Sequence, residues 1–428
     1  GLAVVEKTGR DVAEVLPLYA VHQGDPFAVS GKVDNGDLGR GKRGPQKAGQ
    51  KWESVSHASI FDVLQLDTMK FVVTLPGKFA RKRSRRPVRL GSRGTNSCLL
   101  PPPALPVNMS DGKPCCTPSR EGNGNHPAKE PSLPLSPDAG STEGMVRIDG
   151  GAFRMGAEGP ECWAADGEGP RREVSLDPYF LDCTAVTNEA FAAFVEATGY
   201  QSQAERFGWS FVFLNQIPKS HLKRIRFDRA FGIEWWAKVE GACWRKPGGP
   251  GTNIRKRMDH PVVHVSWHDA RAFCQWTGKR LPTEAEWERA ARGGEEDRIY
   301  PWGDELTPGG KHRCNIWQGR FPEEDTGADG YTGTAPARSF PSNPFGLYNM
   351  MGNAWDWVTD WFDPRYPKDA PTNNPLGPAG GSERVIRGGS FLCHESYCNR
   401  YRNSARTKVT PDSTTCHLSF RCAMDDRG

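Results

Sequence analysis

Apolar and polar residues begin to alternate near residue 145. Two stretches, "MVRIDGGAFRMG" and "RREVSLDPYFLD", carry this alternation between glycine or proline residues. A period of two residues is typical of strands that bury one face. Residues 145–182 are therefore predicted to form short, half-buried strands.

A helical period replaces the alternation in the segments 186–200 and 265–280, which both contain a valine followed twelve positions later by Thr-Gly. The first helix is predicted to begin at Thr187 or Asn188, and the two helices to end at Gly199 and Gly278. Their predicted inward residues are Phe191, Phe194, Val195 and Thr198, then Ala270, Phe273, Cys274 and Thr277. The shared spacing indicates one supersecondary unit used twice.

A third helix is predicted in "PTEAEWERAARGG", where Thr283 and Glu286 form a capping box and Gly293 ends the run. From Tyr300 to Met424 regular patterning fades, and Gly, Pro, Asn and Trp become frequent. Long irregular segments inside a compact domain need buried aromatics, metal ions or disulfides to hold them. The sequence therefore predicts bound cations in this region.

Two stretches of the irregular region offer the hard oxygen ligands that calcium prefers. The first, "NIWQGRFPEEDTGADGY", supplies two side chains and two backbone carbonyls, those of Asn315, Asp329, Ile316 and Tyr331. The second, "NMMGNAWDW", supplies the same kinds of group from Asn349, Asp356, Gly352 and Ala354. Asn and Asp also form turns, so a purely structural role is the alternative.

The N-terminal third differs from this domain in charge and composition. Of the net charge of +5, residues 1–144 carry +6 and the remainder −1, with the basic excess centred on "KFARKRSRRPVRLGSRG". Pro-, Ser- and Gly-rich stretches without a period predict a disordered or wrongly annotated extension over 1–144 and a folded domain over 145–428. Such basic runs are usually solvated, so we expect no nucleic-acid partner.

No segment is expected to enter a membrane. The chain has 428 residues, of which 36% are hydrophobic, enough for a sizeable core. No stretch reaches the roughly eighteen apolar residues that a transmembrane helix needs. The first residues also lack the pattern of a secretion signal.

Two of the twelve cysteines, Cys393 and Cys398, have distinctive surroundings. They follow a Gly-Gly-Ser turn in "RGGSFLCHESYCNRYR", and Arg400, Arg402 and Arg406 follow them closely. Nearby positive charge favours thiolate, which binds soft metals such as Cu(I) or attacks electrophiles. The residues alone leave three alternatives open: a disulfide, a metal or redox site, or two inert core thiols.

The motifs of the domain resemble those of formylglycine-generating enzymes, oxidases that convert a cysteine of newly made sulfatases to Cα-formylglycine. The resemblance covers residues 145–425 and is carried by "GGAFRMG", "ERFGWSFVF", "HPVVHVSWHDARAFCQWTGKRLPTEAEWERAARGG", "YPWGDELTPGGKHRCNIWQGRFP", "NPFGLYNMMGNAWDW" and "RGGSFLCHESYCNRYRNSARTKVTPDS". "GKRLPTEAEWE" and "GNAWDW" mark the wider superfamily, whereas "CHESYCNRYR" is specific for this activity.

The resemblance implies that Cys393 and Cys398 hold Cu(I) and that the cysteine of a C-x-P-x-R motif joins as a third thiolate. It also implies O2 and a thiol or another reductant as co-substrates, with Ser390 polarising the oxygen pocket. Three residues would shape the substrate groove, namely Trp355, Tyr397 and Arg402. The plain alternatives are a core position for Trp355, an ion pair for Arg402 and a turn role for Ser390.

The resemblance further implies that both oxygen-ligand sets bind structural calcium, with Asp356 standing where a glutamate is usual. Cys274 and Cys422 match one disulfide of secreted relatives, while Ala291 and Asn403 replace the cysteines of another. We therefore expect a bacterial, cytoplasmic, monomeric enzyme that acts on unfolded sulfatase polypeptides.

The expected fold is a single irregular α/β (α+β) domain with little regular secondary structure, distantly like C-type lectins. Two other classes of the same superfamily are alternatives: a non-catalytic binding module and an iron-dependent sulfoxide synthase. Neither accounts for Cys393 and Cys398. The synthases also carry a helical bundle with histidine ligands, and no such motif is found in this sequence.

A last motif lies in the N-terminal extension, where "CCTPSR" at residues 115–120 contains the C-x-P-x-R pattern that the family recognises. A chance match is expected in about one chain in ten of this composition. An extended segment is what such an enzyme captures. Cys116 is therefore a candidate pseudo-substrate or target of self-modification.

Overall fold

A computed structural model describes residues 117–120, 133–223, 226–230, 233–365 and 371–427. Most of the predicted disordered extension lies outside the described residues. The described residues just before Met145 pack on the domain, since the Ser136 N–H donates to the Trp276 carbonyl and the Gly140 N–H to the Thr277 carbonyl, at 2.7 and 2.9 Å. The domain therefore begins upstream of the predicted start at Met145.

The strands of the described residues are short and the helices few. The strands are β1 (Met145–Ile148), β2 (Gly151–Met155), β3 (Arg172–Leu176), β4 (Tyr179–Asp182), β5 (Trp209–Phe213), β6 (Phe227–Ala230), β7 (Ile233–Glu240), β8 (Gly319–Arg320), β9 (Glu324–Asp325), β10 (Trp355–Trp361), β11 (Arg384–Arg387), β12 (Arg406–Val409), β13 (Leu418–Phe420) and β14 (Ala423–Asp425). The α-helices are α1 (Asn188–Thr198), α2 (Gln203–Phe207), α3 (Trp267–Trp276) and α4 (Glu284–Arg292), and the 3₁₀ helices are Ala164–Asp166, Leu214–Gln216 and Pro308–Gly310.

The strands form small sheets with the orders β1-β4-β14, β2-β3, β5-β7-β6, β8-β9 and β12-β11-β10-β13. In the four-stranded sheet, β10 pairs antiparallel with β11 and parallel with β13. The register places Asp356 opposite both Arg387 and Ser419. This sheet therefore joins the segment before the Gly-Gly-Ser turn to the C-terminal strands. Small sheets and few helices confirm the predicted irregular α/β fold.

The predicted ends of α1 and α4 are confirmed, whereas α3 ends one residue before the predicted Gly278, with Thr277 as its C-cap. The Thr187 hydroxyl accepts the Ala190 N–H at 3.2 Å, and α1 ends at Gly199 with φ 67°. Helix α4 has the predicted capping box and ends at a left-handed glycine. In α1, Val195 and Thr198 are half-buried rather than buried. Within the described residues, no helix is both long and apolar enough to cross a bilayer.

Large aromatic side chains fill the core, both within the irregular region that begins at Tyr300 and in the elements packed against it. Four indoles, those of Trp244, Trp287, Trp355 and Trp357, are fully buried in one cluster with α1, α3 and the four-stranded sheet. A second cluster contains Phe213, Trp236 and Trp317. Aromatic residues bury about 150–250 Å² each, so they can hold segments that few backbone ladders support.

Candidate active site: a buried cysteine pair

Two glycines open the segment that carries the predicted thiol pair, between β11 and β12. Gly388 and Gly389 have φ of 94° and 77°, a left-handed conformation that side chains disfavour. A Cβ on Gly388 would lie 2.7 Å from the Met350 carbonyl oxygen, and one on Gly389 would lie 2.9 Å from the Arg400 carbonyl oxygen. Only glycine fits here without moving the backbone.

The chain after these glycines folds into tight turns that place both cysteines inside the protein. The Cys393 N–H donates to the Ser390 carbonyl at 2.9 Å, and the Cys398 N–H donates to the His394 carbonyl at 2.9 Å. Cys393 is 1% exposed and Cys398 is 0% exposed. Both predicted thiols therefore lie on one segment with a fixed backbone.

Ser390 connects Cys393 to a buried histidine. Its backbone N–H donates to Cys393 Sγ at 3.4 Å, and its hydroxyl oxygen lies 4.0 Å from the same sulfur. The hydroxyl also accepts the Leu392 N–H at 3.2 Å and lies 3.0 Å from His417 Nδ1. The predicted site residue Ser390 thus adjoins the thiol, while it also fills the turn role that was its alternative.

His417 was not predicted from the sequence. Burial lowers its pKa to about 3, with a smaller effect from His264, so the ring is neutral near pH 7. Its Nε2 lies 3.1 Å from the hydroxyl of Thr117, so the ring bridges Thr117 and Ser390. The run of uncharged polar residues at 413–417, directly before β13, is the signal that could have indicated this buried polar chain.

The two predicted aromatic residues occupy different positions. Tyr397 is half-buried and stacks on Phe321, with ring centroids 4.5 Å apart, beside the edge of Trp235 at 5.3 Å. Trp355 is fully buried in β10, and its backbone N–H donates to the His417 carbonyl at 2.8 Å. Tyr397 therefore belongs to a partly exposed aromatic wall, whereas Trp355 supports the site from the core.

The arginines that follow the cysteines are each paired with a carboxylate. The pairs are Arg400 with Asp166 at 2.6 Å, Arg402 with Glu168 at 2.7 Å and Arg406 with Glu284 at 2.7 Å. The positive charge that the sequence places near the thiols is therefore paired, because a carboxylate balances each guanidinium group. Arg402 is 1% exposed and holds both oxygens of Glu168, which is the ion pair named as its alternative.

The first predicted calcium set comes together around Asp329. This carboxylate accepts the Ile316 N–H at 2.9 Å and the Tyr331 N–H at 3.0 Å, and burial raises the pKa of Asp329. The buried side-chain oxygen of Asn315 has no hydrogen-bond partner among the described residues. A buried oxygen without a partner costs about 1–3 kcal/mol, which a bound cation would offset. These residues therefore fit an oxygen-ligated ion.

The second predicted set fits less well. One side-chain oxygen each of Asn349 and Asp356 is buried without a hydrogen bond from any described residue. The other Asp356 oxygen accepts from Arg421 Nε at 2.7 Å, and both side chains of this pair are buried. A guanidinium thus already balances the carboxylate that would bind the second ion.

The two predicted sets meet at Gly352. Asn315 and Gly352 form a parallel bridge, and the Asn353 N–H donates to the Asn315 carbonyl at 2.7 Å. A Cβ on Gly352 would lie 2.3 Å from that carbonyl oxygen, and Ala354 is buried just before β10. No group of three or more His, Cys, Asp or Glu side chains that could hold a metal occurs in the described part of the chain. Each predicted calcium set contains a single carboxylate and does not need such a group.

Cys274 and Cys422 are neighbours, as the family pattern implied. Their sulfur atoms lie 3.5 Å apart, and both side chains are buried. A disulfide bond is about 2.05 Å long, so the two residues are thiols in this structure. Burial raises the pKa of the Cys422 thiol well above its ordinary value. The disulfide itself stays a prediction.

Comparison with known proteins gives one consistent result. Residues 131–426 match the family model of the sulfatase-modifying factor enzyme 1-like domain. A formylglycine-generating enzyme from Thermomonospora curvata is 56% identical over 287 residues, covering 66% of this chain and 94% of that protein. The protein of the same name from Streptomyces coelicolor is 55% identical over 285 residues, covering 67% and 90%.

One solved structure that is similar to this chain is PvdO from Pseudomonas aeruginosa. The TM-score is 0.49 and the sequence identity 23%, and the match covers 66% of this chain and 94% of PvdO. The family assignment rests on the sequence matches, which extend over most of each relative. The chain therefore belongs to the formylglycine-generating enzymes, oxidases that convert a cysteine to formylglycine.

Proposed function

We propose that this enzyme holds Cu(I) between Cys393 and Cys398 and converts the cysteine of a C-x-P-x-R motif in unfolded sulfatase polypeptides to formylglycine. The observation that carries the proposal is the pair of buried thiols on one segment of fixed backbone. Two thiolates without other ligands suit Cu(I). Bound copper supplies the redox chemistry with O2 that side chains lack.

The overall reaction replaces the substrate thiol with an aldehyde and releases sulfide. Oxidation of the substrate delivers two electrons to O2, and a thiol or other reductant supplies the remaining two that convert O2 to water. Ser390 donates its backbone N–H to Cys393 Sγ, which stabilises negative charge on that sulfur. We propose that the Ser390 hydroxyl, which contacts His417, lies on the polar side of the pocket that receives O2.

The substrate groove in this proposal runs along the partly exposed aromatic wall that contains Tyr397. Trp355 and Arg402 are fully buried, so we assign them the role of positioning the cysteine segment rather than touching the polypeptide. Calcium at the set around Asp329 would hold the irregular loops. We place the enzyme in the bacterial cytoplasm, a compartment that keeps thiols reduced, and propose that it acts as a monomer.

The test is to load the full chain with Cu(I), add a C-x-P-x-R peptide, O2 and a thiol reductant, and measure the aldehyde by mass spectrometry. Cys243→Ser is a matched control, because Cys243 is also buried but lies on a separate turn after β7. Wild type and Cys243→Ser should convert the peptide, and a peptide with serine in place of cysteine should remain unchanged. Absence of aldehyde in copper-loaded protein, or equal yield without copper, would overturn the proposal.

A further inference from the structure

Residues 117–120 of the N-terminal extension lie buried against the domain. Thr117 is 3% exposed and Arg120 is 5% exposed. Their contacts are with the start of β5 and with the loop between β12 and β13, the same loop that carries His417. A segment predicted to be an extended tail therefore has a defined position beside the cysteine pair.

The Arg120 side chain occupies a site with both polar and aromatic walls. Its Nη2 donates to the Trp209 carbonyl and to the Thr414 hydroxyl at 2.9 Å each, and its Nε donates to the Asp412 carbonyl at 3.1 Å. The guanidinium carbon lies 3.6 Å from the Trp209 ring centre and 4.1 Å from that of Phe207. Burial lowers the pKa of Arg120 to about 10, so the group stays protonated near pH 7. Such an enclosure suits a peptide arginine.

The rest of the segment near Arg120 is bound as well. The Arg120 N–H donates to the Ser413 hydroxyl at 2.7 Å, and the Thr410 N–H donates to the Ser119 hydroxyl at 3.4 Å. On the domain side, the Thr414 hydroxyl that receives Arg120 also contacts the Ser210 hydroxyl at 2.7 Å. The domain itself therefore fixes the groups that accept hydrogen bonds from Arg120. The segment binds to them in the way a separate peptide could.

The other end of the segment leads to the thiol pair. The Thr117 hydroxyl lies 3.1 Å from His417 Nε2, His417 Nδ1 lies 3.0 Å from the Ser390 hydroxyl, and that hydroxyl lies 4.0 Å from Cys393 Sγ. Cys116, which precedes Thr117 in the sequence, lies outside the described residues. The contacts place Thr117 at the end of the segment that leads to Cys393 and Arg120 at the far end.

From these contacts we infer that residues 117–120 bind in cis beside Cys393, at the Trp209 and Thr414 site, as a built-in pseudo-substrate that competes with substrate polypeptides. The inference rests on the function proposed above. Twelve residues, 121–132, connect the segment to the described residues that begin at 133, and a chain of that length reaches at most ~40 Å. A short tether gives an effective concentration on the order of millimolar. Occupancy of this site for about 90% of the time would raise the apparent KM about tenfold.

Peptide binding to copper-free, full-length protein tests the inference without relying on turnover. The anisotropy of a labelled C-x-P-x-R peptide would be measured with wild type, Arg120→Ala, Thr117→Val and the control Lys129→Ala, which removes one positive charge from the tether. Arg120→Ala should bind the peptide about tenfold more tightly than wild type, Thr117→Val should show a smaller gain, and Lys129→Ala should match wild type. Equal affinities in all four proteins would overturn the inference.

Trypsin provides a second readout that needs no variant. Cleavage after Arg120 should be slow in wild type, and excess C-x-P-x-R peptide should accelerate it by displacing the segment. Protection that the peptide does not change would make residues 117–120 a fixed part of the fold and overturn the inference. Protection lost on dilution would place the segment in a second copy and overturn the cis arrangement. Tight peptide binding without aldehyde formation would instead refute the proposed function alone.

Discussion

The domain contains two pairs of buried cysteines whose surroundings differ. Cys393 and Cys398 lie on one segment, where Cys393 Sγ receives a backbone N–H and adjoins the polar chain through Ser390 to His417. Cys274 and Cys422 are 148 positions apart, with their sulfurs 3.5 Å from each other in the core between α3 and β14. Burial is common to both pairs, so polar contacts and a fixed local backbone are what distinguish the proposed reactive pair, Cys393 and Cys398.

The largest difference between the pairs should appear on substitution of single thiols. Cys393→Ser and Cys398→Ser should each reduce kcat/KM by more than about 100-fold, because each removes one of two proposed copper ligands. The measurements are aldehyde formation and Cu(I) affinity, with circular dichroism to confirm the fold. Cys274→Ala is the matched control and should keep its activity. Copper-dependent turnover near the wild-type rate in either serine variant would refute the assignment of the reactive pair.

Calcium removal should destabilise the folded chain through a loop that contacts the segment of Cys393. Trp317 follows Ile316 of the first calcium set, and its backbone N–H donates to the Cys393 carbonyl at 3.0 Å. If free calcium is about 100 times its Kd, chelation should lower the free energy of unfolding by about 2.7 kcal/mol, since the ion binds the folded chain. The melting temperature would be measured with and without chelator, with metal analysis to verify removal.

Asp329→Ala should abolish most of this response to chelator. Glu323→Ala, a change of an exposed acid outside the set, should keep it. A melting temperature that does not change when metal analysis shows complete removal would contradict structural calcium.

Substitution in the core pair, Cys274 and Cys422, should lower stability and leave activity unchanged. Cys422→Ser should lower the free energy of unfolding by about 1–3 kcal/mol, because it places a hydroxyl in an apolar site. Cys422→Ala, which buries no polar group, should lose less. Denaturant unfolding measures the first effect, and kcat/KM of the folded variants should equal that of wild type. A large loss of activity at full folding would erase the distinction between the two pairs.

The smallest expected effect concerns Ser390. Ser390→Ala keeps the backbone N–H to Cys393 and removes the hydroxyl contacts with His417 and Leu392. We expect kcat/KM to fall about tenfold, equivalent to about 1.4 kcal/mol. Ser390→Thr, which keeps the hydroxyl, tests for rescue, and Cu(I) affinity should be unchanged in both. If Ser390→Ala had wild-type kinetics, the serine would serve the turn alone.

Features set by neighbouring residues were predictable from the sequence. The ends of α1 and α4 follow from Thr187, Gly199, Thr283 and Gly293, because capping depends on side chains within one turn. The joint placement of Cys393 and Cys398 was predictable for the same reason, since five positions separate them. Local chemistry therefore indicated where the site lies.

Features that depend on distant residues were missed. For Arg402 the sequence offered a groove role with an ion pair as the alternative, but it could not identify the partner Glu168, which is 234 positions away. His417 reaches Ser390 only because β13 pairs in parallel with β10. The balance of charge around the thiols likewise depends on tertiary pairing, so the sequence suggested a positive field that the carboxylates cancel.

The position of β4 between β1 and β14 has a consequence for biosynthesis. During translation the ribosome produces β1 and β4 early, while β14 and its neighbours Arg421 and Cys422 come at the end of the domain. Until then one edge of β4 has open backbone groups, and neither His417 nor β13 is available to complete the site. The fold around the cysteine pair can therefore close only after the last strands of the domain have been made.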